Sequence, residues 1–337
     1  MAAARRVAAD LLAPAAEATD RAGRVPPAHL DALAGAGLFR LSCPPAASQS
    51  DTRLIFEALA GACGVTFFVW VQHHAPVRML AATANAALRE RWLPGLCSGR
   101  ALAGVAFGYL RRPGPPAVVA TRVDGGYRID GEAPWVTSWG MAGLYVVGTR
   151  LGDSVLFFAL PGEAGPGVRP SPPLALAAMN ASCTVRLAFD GLVVPNDAVI
   201  ATVAYQRWLA RDRVITAQPN PAAFGIAATC VRLLADGAPD AAEDLGRELA
   251  TCRARAYALA DEARTDDAHL RRMVESRAWS LELAVRAATA LVVAAGGRAL
   301  ALDHPAQRLL REAAFFTIQA QTPALRDATL AQLTLRS

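Results

Sequence analysis

The chain has 337 residues, 53% of them hydrophobic, and a formal net charge of +5 in which every basic side chain is arginine. That size and apolar content suffice for a large core and two or three domains. The arginines are dispersed, with no basic cluster interleaved with aromatics, which argues against nucleic acid as a partner. No apolar run comes near the roughly 18 residues that a bilayer span needs, and no leader-type start precedes a cleavage site, so no membrane association is expected. Cys43, Cys63, Cys97, Cys183, Cys230 and Cys252 lack Cys-x-x-Cys spacing. They read as reduced, mostly buried thiols of a cytoplasmic protein without a metal site.

Residues 1–98 read as helices: an Ala/Leu-rich one over 8–18, a restart at Pro27–Ala36, one over Asp51–Cys63 and an apolar one from Val65 to His74. Gln72-His73-His74 is the first place to look for chemistry. Adjacent helical residues point about 100° apart, so one imidazole can face inward and its neighbour out. His74 is thus a candidate acid or base, and a helix-end pair bonding backbone carbonyls is the alternative.

From 99 to 203 the pattern changes to short β-branched and aromatic runs. Asp124-Gly125-Gly126 and Asp130-Gly131 are turn signals, because glycine takes positive φ without a Cβ clash. The pattern predicts a β-meander with Trp135-Val136-Thr137 on its middle strand. Trp beside Thr offers a flat apolar face and a hydroxyl, suited either to a stacked planar ring or to ordinary sheet core. Trp139, four residues on, is expected on the same face as Trp135. From 204 to 337 the chain reads as helical again, with two long amphipathic helices over 241–262 and 266–295.

Gly126-Tyr127-x-Ile129-x-Gly131-x-x-x-Trp135-Val136-Thr137, set between two helical regions, resembles the middle domain of the acyl-CoA dehydrogenase family. Four other stretches match family passages: Arg91-Trp92-Leu93-Pro94 before the strands, Val185 to Pro195 at their close, Gly296-Gly297, and His304-Pro305 through Arg308 to Ala313. The resemblance implies an α+β multidomain fold: an N-terminal α-helical domain (1–98), a middle β-barrel-like domain (99–203) and a C-terminal helical bundle (204–337). It implies FAD between the middle domain and the bundle. Trp135 and Thr137 would lie against the flavin, Phe107 and Gly108 in a flavin-contacting loop, and Thr322 at an FAD-contacting position. Gly296 and Gly297 would permit close approach to the cofactor, or serve as a helix C-cap. A homodimer or homotetramer is implied as well.

The chain departs from the family pattern where the chemistry is decided. The Thr-Glu-Pro of the flavin loop is replaced by Tyr109-Leu110-Arg111-Arg112, a double Arg suited to an anionic phosphate or to a solvated loop. The Arg-x-x-Phe-Gly motif is absent, with Ala235 to Asp240 cutting in. Family dehydrogenases carry a glutamate that removes the α-proton of an acyl thioester; Ala320 stands there and cannot titrate. Asp212 is the substitute carboxylate, one helical turn from where some relatives carry theirs, or else a surface or capping Asp. Three functions follow from the resemblance. The first is α,β-dehydrogenation of an acyl thioester on coenzyme A or an acyl carrier protein. The second is a flavin monooxygenase of the same fold, and the third a non-catalytic subunit that forms a hetero-oligomer with an active paralogue.

Overall fold

The structure is a computed structural model, and it describes residues 1–334. Seven helices come first: α1 (Ala2–Arg6), α2 (Ala13–Arg21), α3 (Pro27–Gly35), α4 (Gln49–Ala62), α5 (Gly64–Val71), α6 (His74–Ala81) and α7 (Ala86–Ser98). A π-helical run, Val7–Leu12, joins α1 to α2, so the first helical stretch is longer at both ends than the Ala/Leu pattern suggested. Ser48 starts α4 by accepting from the Asp51 N–H, the usual role of a serine at an N-cap. The apolar run is broken where the sequence showed one helix. It ends at Val71, and His73 and His74 lie at the joint with α6.

Eight strands follow: β1 (Ala103–Ala106), β2 (Val118–Val123), β3 (Gly126–Val136), β4 (Leu144–Leu151), β5 (Ser154–Pro161), β6 (Val168–Pro170), β7 (Val185–Pro195) and β8 (Val199–Ala204). They form one sheet in the order β6-β7-β3-β2-β4-β5-β8, with β1 parallel to β4. The path is open, with β6 and β8 at its ends, and β2 meets β4 at the single pair Val119–Arg150. Asp124-Gly125 makes the expected turn between β2 and β3. Asp130-Gly131 does not. There β3 continues through a bulge against β7, with Gly131 at φ 123°. A Cβ at Gly131 would lie 2.2 Å from the Ala117 carbonyl oxygen, so the glycine serves a bulge and a close approach instead of a reversal.

The last third holds α8 (Tyr205–Ala217), α9 (Pro221–Leu234), α10 (Pro239–Asp261), α11 (Asp267–Ala295), α12 (Pro305–Ile318) and α13 (Pro323–Thr334). Helix α11 packs against α9, α10, α12 and α13, and that central place makes it apolar on several faces. By length and composition it could cross a membrane: its region Asp267–Leu300 has an 18-residue window of mean hydropathy 1.5, 44% of it buried. The expectation that no run approached that length is therefore corrected. Helices α4 and α9 cross so closely that a Cβ on Gly225 would stand 2.1 Å from the Glu57 carbonyl oxygen.

A buried polar cluster ties the two helical regions together. Arg308 on α12 donates to Glu17 at 3.0 Å and to Glu312 at 2.8 Å, and Glu312 accepts from the Gly64 N–H at the start of α5. Burial pushes the Glu312 carboxyl up, with Arg308 pulling the other way. The cysteines divide. Cys63, Cys183, Cys230 and Cys252 are buried thiols, whereas Cys43 and Cys97 form a disulfide, against the expectation of six reduced thiols. Chain folding brings the loop after residue 40 onto the last turn of α7, 54 residues away, and no local sequence signal announces that pairing.

Candidate active site

A cleft of about 1680 Å³ lies between the sheet and the two helical regions. Its sheet wall carries Phe107, Trp135, Thr137 and Thr184, and its helical walls come from α4, α5, α6, α8 and α12. The turn Gln319–Thr322 closes one side. Among the described residues eight arginines line it (Arg78, Arg111, Arg112, Arg207, Arg211, Arg277, Arg311 and Arg326) against one carboxylate, Asp212. Such an imbalance favours an anionic occupant.

Trp135 is 55% exposed and presents its indole to the cleft. Beside it Thr137 is buried. Its hydroxyl lies 3.3 Å from that of Thr184, which is 2.7 Å from that of Ser182. An indole face left bare next to a chain of hydroxyls fits a planar ring with polar edges. Trp139 does not share that face. Strand β3 ends at Val136, Ser138 takes φ 64°, and the turn sends Trp139 onto Tyr145, stacked at 5.4 Å. Strand alternation holds only while the chain stays extended.

Asp212, on α8, is 7% exposed. Its two oxygens accept from Arg111 Nε at 2.7 Å and Nη2 at 2.8 Å. Arg111 ends the short 3₁₀ turn Gly108–Arg111 that follows Phe107. The pair therefore bridges the sheet wall and the helical wall. Below it Arg277 is buried and donates to the carbonyls of Thr216 (2.8 Å), Gln218 (3.1 Å) and Gln319 (3.5 Å). Burial, then the neighbouring Arg111, pushes the Arg277 guanidinium down to about 10. Arg277 thus pins the end of α8 to the turn that carries Ala320.

The structure brings Asp212, Phe107, Gly108, Trp135, Thr137 and Thr322 to this one cleft, with Ala320 in its wall. Thr322 also caps α13, its hydroxyl accepting from the Leu325 N–H. His74 is not there. It is 2% exposed, packed on Trp70 (4.5 Å) and Phe56 (5.7 Å), with neither ring nitrogen hydrogen-bonded. His73 is also buried, accepting from the Ala103 N–H, so the expectation of one ring in and one out is corrected. The break between α5 and α6 turns both rings inward. Burial holds His73 down at about 4 and His74 well below the usual range. Gly296 and Gly297 open a 3₁₀ turn after α11, outside the cleft, and a Cβ on either would meet nothing within 4 Å.

Sequence reading passed over Arg277. A signal was present: Arg277 falls on the stripe Met273, Leu281, Ala284, all buried, where a charge must find partners. It also left Arg111 open between phosphate contact and solvated loop, and neither form includes its bond to Asp212.

A helical region, a single sheet and a helical bundle are the layout of the acyl-CoA dehydrogenase fold. Residues 1–100 match the family model described as the acyl-CoA dehydrogenase N-terminal domain. The benzylmalonyl-CoA dehydrogenase of Aromatoleum aromaticum is 26% identical over 364 residues, covering 97% of this chain and 94% of that protein. Butyryl-CoA dehydrogenase from Megasphaera elsdenii superposes with a TM-score of 0.83 at 18% identity, covering 99% of this chain and 97% of its own. A structure described as the FAD complex of PigA gives 0.83 at 18% identity over 99% and 96%. These matches support an assignment to the acyl-CoA dehydrogenase family, whose members are flavoproteins.

Proposed function

We propose that the protein is an FAD-dependent oxidoreductase that dehydrogenates an acyl thioester between Cα and Cβ. The observation that carries the reading is the cleft itself, where a bare indole, a hydroxyl chain and the sole lining carboxylate converge among arginines. The residues fit FAD: Trp135 would stack on its ring, Thr137 and Thr322 would bond its polar edges, and cleft arginines would meet its phosphates. Bound FAD would take the hydride that leaves Cβ.

The protein's own part is to hold the thioester and to remove the Cα proton. Asp212 is the group available for that step, because Ala320 carries no titratable atom. Each Asp212 oxygen accepts one bond from Arg111 and keeps a further lone pair that can take the proton. Arg277 keeps α8 and the Gln319–Thr322 turn in fixed register around the reacting carbon. A second copy of the chain is proposed to cover the exposed apolar side chains Val293, Leu300, Leu302 and Leu333 around the Gly296-Gly297 turn. Val293 and Leu333 line one shallow groove there.

Anaerobic titration of the FAD-loaded protein with saturated acyl-CoA thioesters, followed by flavin absorbance, tests the reading. Bleaching without an added reductant is expected. Flavin that stays oxidised with every thioester, and bleaches only with an external reductant, would exclude the dehydrogenase and favour a monooxygenase of the same fold.

A further inference from the structure

Part of the cleft lining is built of phenylalanines from three helices. Phe56 on α4, Phe67 and Phe68 on α5, and Phe315 and Phe316 on α12 all line it. They form an unbroken chain of ring contacts: Phe68 to Phe315 at 4.7 Å, Phe315 to Phe316 at 5.2 Å, Phe316 to Phe67 at 6.3 Å and Phe67 to Phe56 at 5.5 Å. Three of these pairs meet edge to face at 68° to 75°, and Phe67–Phe316 is tilted at 55°. Helix α12 delivers Phe315 and Phe316 immediately before the Gln319–Thr322 turn, so this wall adjoins the place assigned to the reacting carbon.

We infer that the acyl group of the substrate ends in an aromatic ring, held by this phenylalanine wall. The inference rests on the thioester reading above and names its acyl class. Ring quadrupoles favour edge-to-face or offset contacts with centroids 4.5–7 Å apart, and the wall already holds three edge-to-face pairs in that range. A ring entering beside Phe68 and Phe315 extends the pattern, whereas a linear alkyl chain gains only buried area. Val71, Ala75 and Met79 also line the cleft, and methionine adapts to a ring edge.

The test uses FAD-loaded protein and two thioethers that lack the carbonyl and cannot be dehydrogenated, S-(3-phenylpropyl)-CoA and S-octyl-CoA. Their dissociation constants are measured by calorimetry. The phenyl compound should bind about three- to tenfold tighter, the range expected for aromatic pairing beyond area. Phe68→Leu and Phe315→Leu, which keep an apolar side chain, should each bring the ratio close to one. Equal binding of the two compounds to the unaltered protein, or tighter octyl binding, overturns the aromatic assignment and leaves the thioester reading standing. A ratio unchanged in both leucine variants also overturns it. Failure of both compounds, with no bleaching by any acyl-CoA, overturns the thioester reading and this inference together.

Discussion

Arg111 and Asp212 form a two-pronged ion pair across the mouth of the cleft, Nε to one carboxylate oxygen at 2.7 Å and Nη2 to the other at 2.8 Å. The pair joins the loop after β1 to α8, so the sole carboxylate lining the cleft is also a strut between its walls. Under the proposed function the two roles compete, and the competition can be measured. Asp212→Asn should lower thioester-dependent flavin bleaching by about 10²–10⁴-fold, the usual consequence of losing a general base. Arg111→Gln should leave Asp212 free and reduce the rate far less. Bleaching at an unaltered rate in Asp212→Asn would remove Asp212 from the mechanism.

The two tryptophans separate binding from folding. Trp135 is largely exposed, and Trp139, in the turn after β3, is stacked on Tyr145. Trp135→Ala should weaken FAD binding by about two- to tenfold with little change in stability. Trp139→Ala should cost about 3 kcal/mol of stability, since removing a packed aromatic leaves a cavity. Flavin-to-protein ratio and urea denaturation, taken on both variants, check the contrast.

Acid should destabilise the N-terminal helices through the paired histidines. His73 is held at about 4 and His74 is also held well below the usual range, while an imidazole of the unfolded chain titrates near 6.5. Between those limits the unfolded state binds more protons, so stability falls as pH falls from 6.5 toward 4. Each buried ring should contribute about 1.4 kcal/mol per pH unit in that window. Denaturation midpoints at pH 7.5, 6 and 5 should fall accordingly. His73→Asn, which keeps an acceptor for the Ala103 N–H, should flatten the slope, and an unchanged slope would show that other groups dominate.

Gly225→Ala should be severely destabilising. The added Cβ meets the Glu57 carbonyl oxygen at 2.1 Å, a backbone atom in the facing helix that cannot rotate away. Overpacking of this kind typically costs about 1–3 kcal/mol, and the rigid partner puts it at the upper end. Gly246→Ala is the control, its Cβ meeting only a Val231 methyl at 3.5 Å. Thermal unfolding of the two variants should separate them clearly.

The Cys43–Cys97 disulfide should be detectable and stabilising. The loop it closes spans 54 residues, for which chain entropy gives about 4 kcal/mol. Denatured protein should titrate four free thiols before reduction and six after. Cys97→Ser should lower the unfolding midpoint, and six thiols without reduction would show the pair open.

Local pattern determined a good deal of this protein. The turn at Asp124-Gly125, the strand that carries Trp135 and the helices over 239–261 and 267–295 were all legible, because each depends on periodicity or turn chemistry within a few positions. Tertiary structure decided whatever depends on partners far along the chain. Asp130-Gly131 became a bulge because β7 pairs across it, and His74 went into the core because the helix breaks at Gln72. Cys43 met Cys97, and Asp212 met Arg111, 101 residues away, through packing that no window of sequence contains. Arg277 shows the same division: its place on a buried stripe was visible, but the three carbonyls that receive it come from two chain segments that only folding brings together. Apolar spacing specifies which face of an element turns inward; which face of which other element it meets is settled by how all of them pack at once.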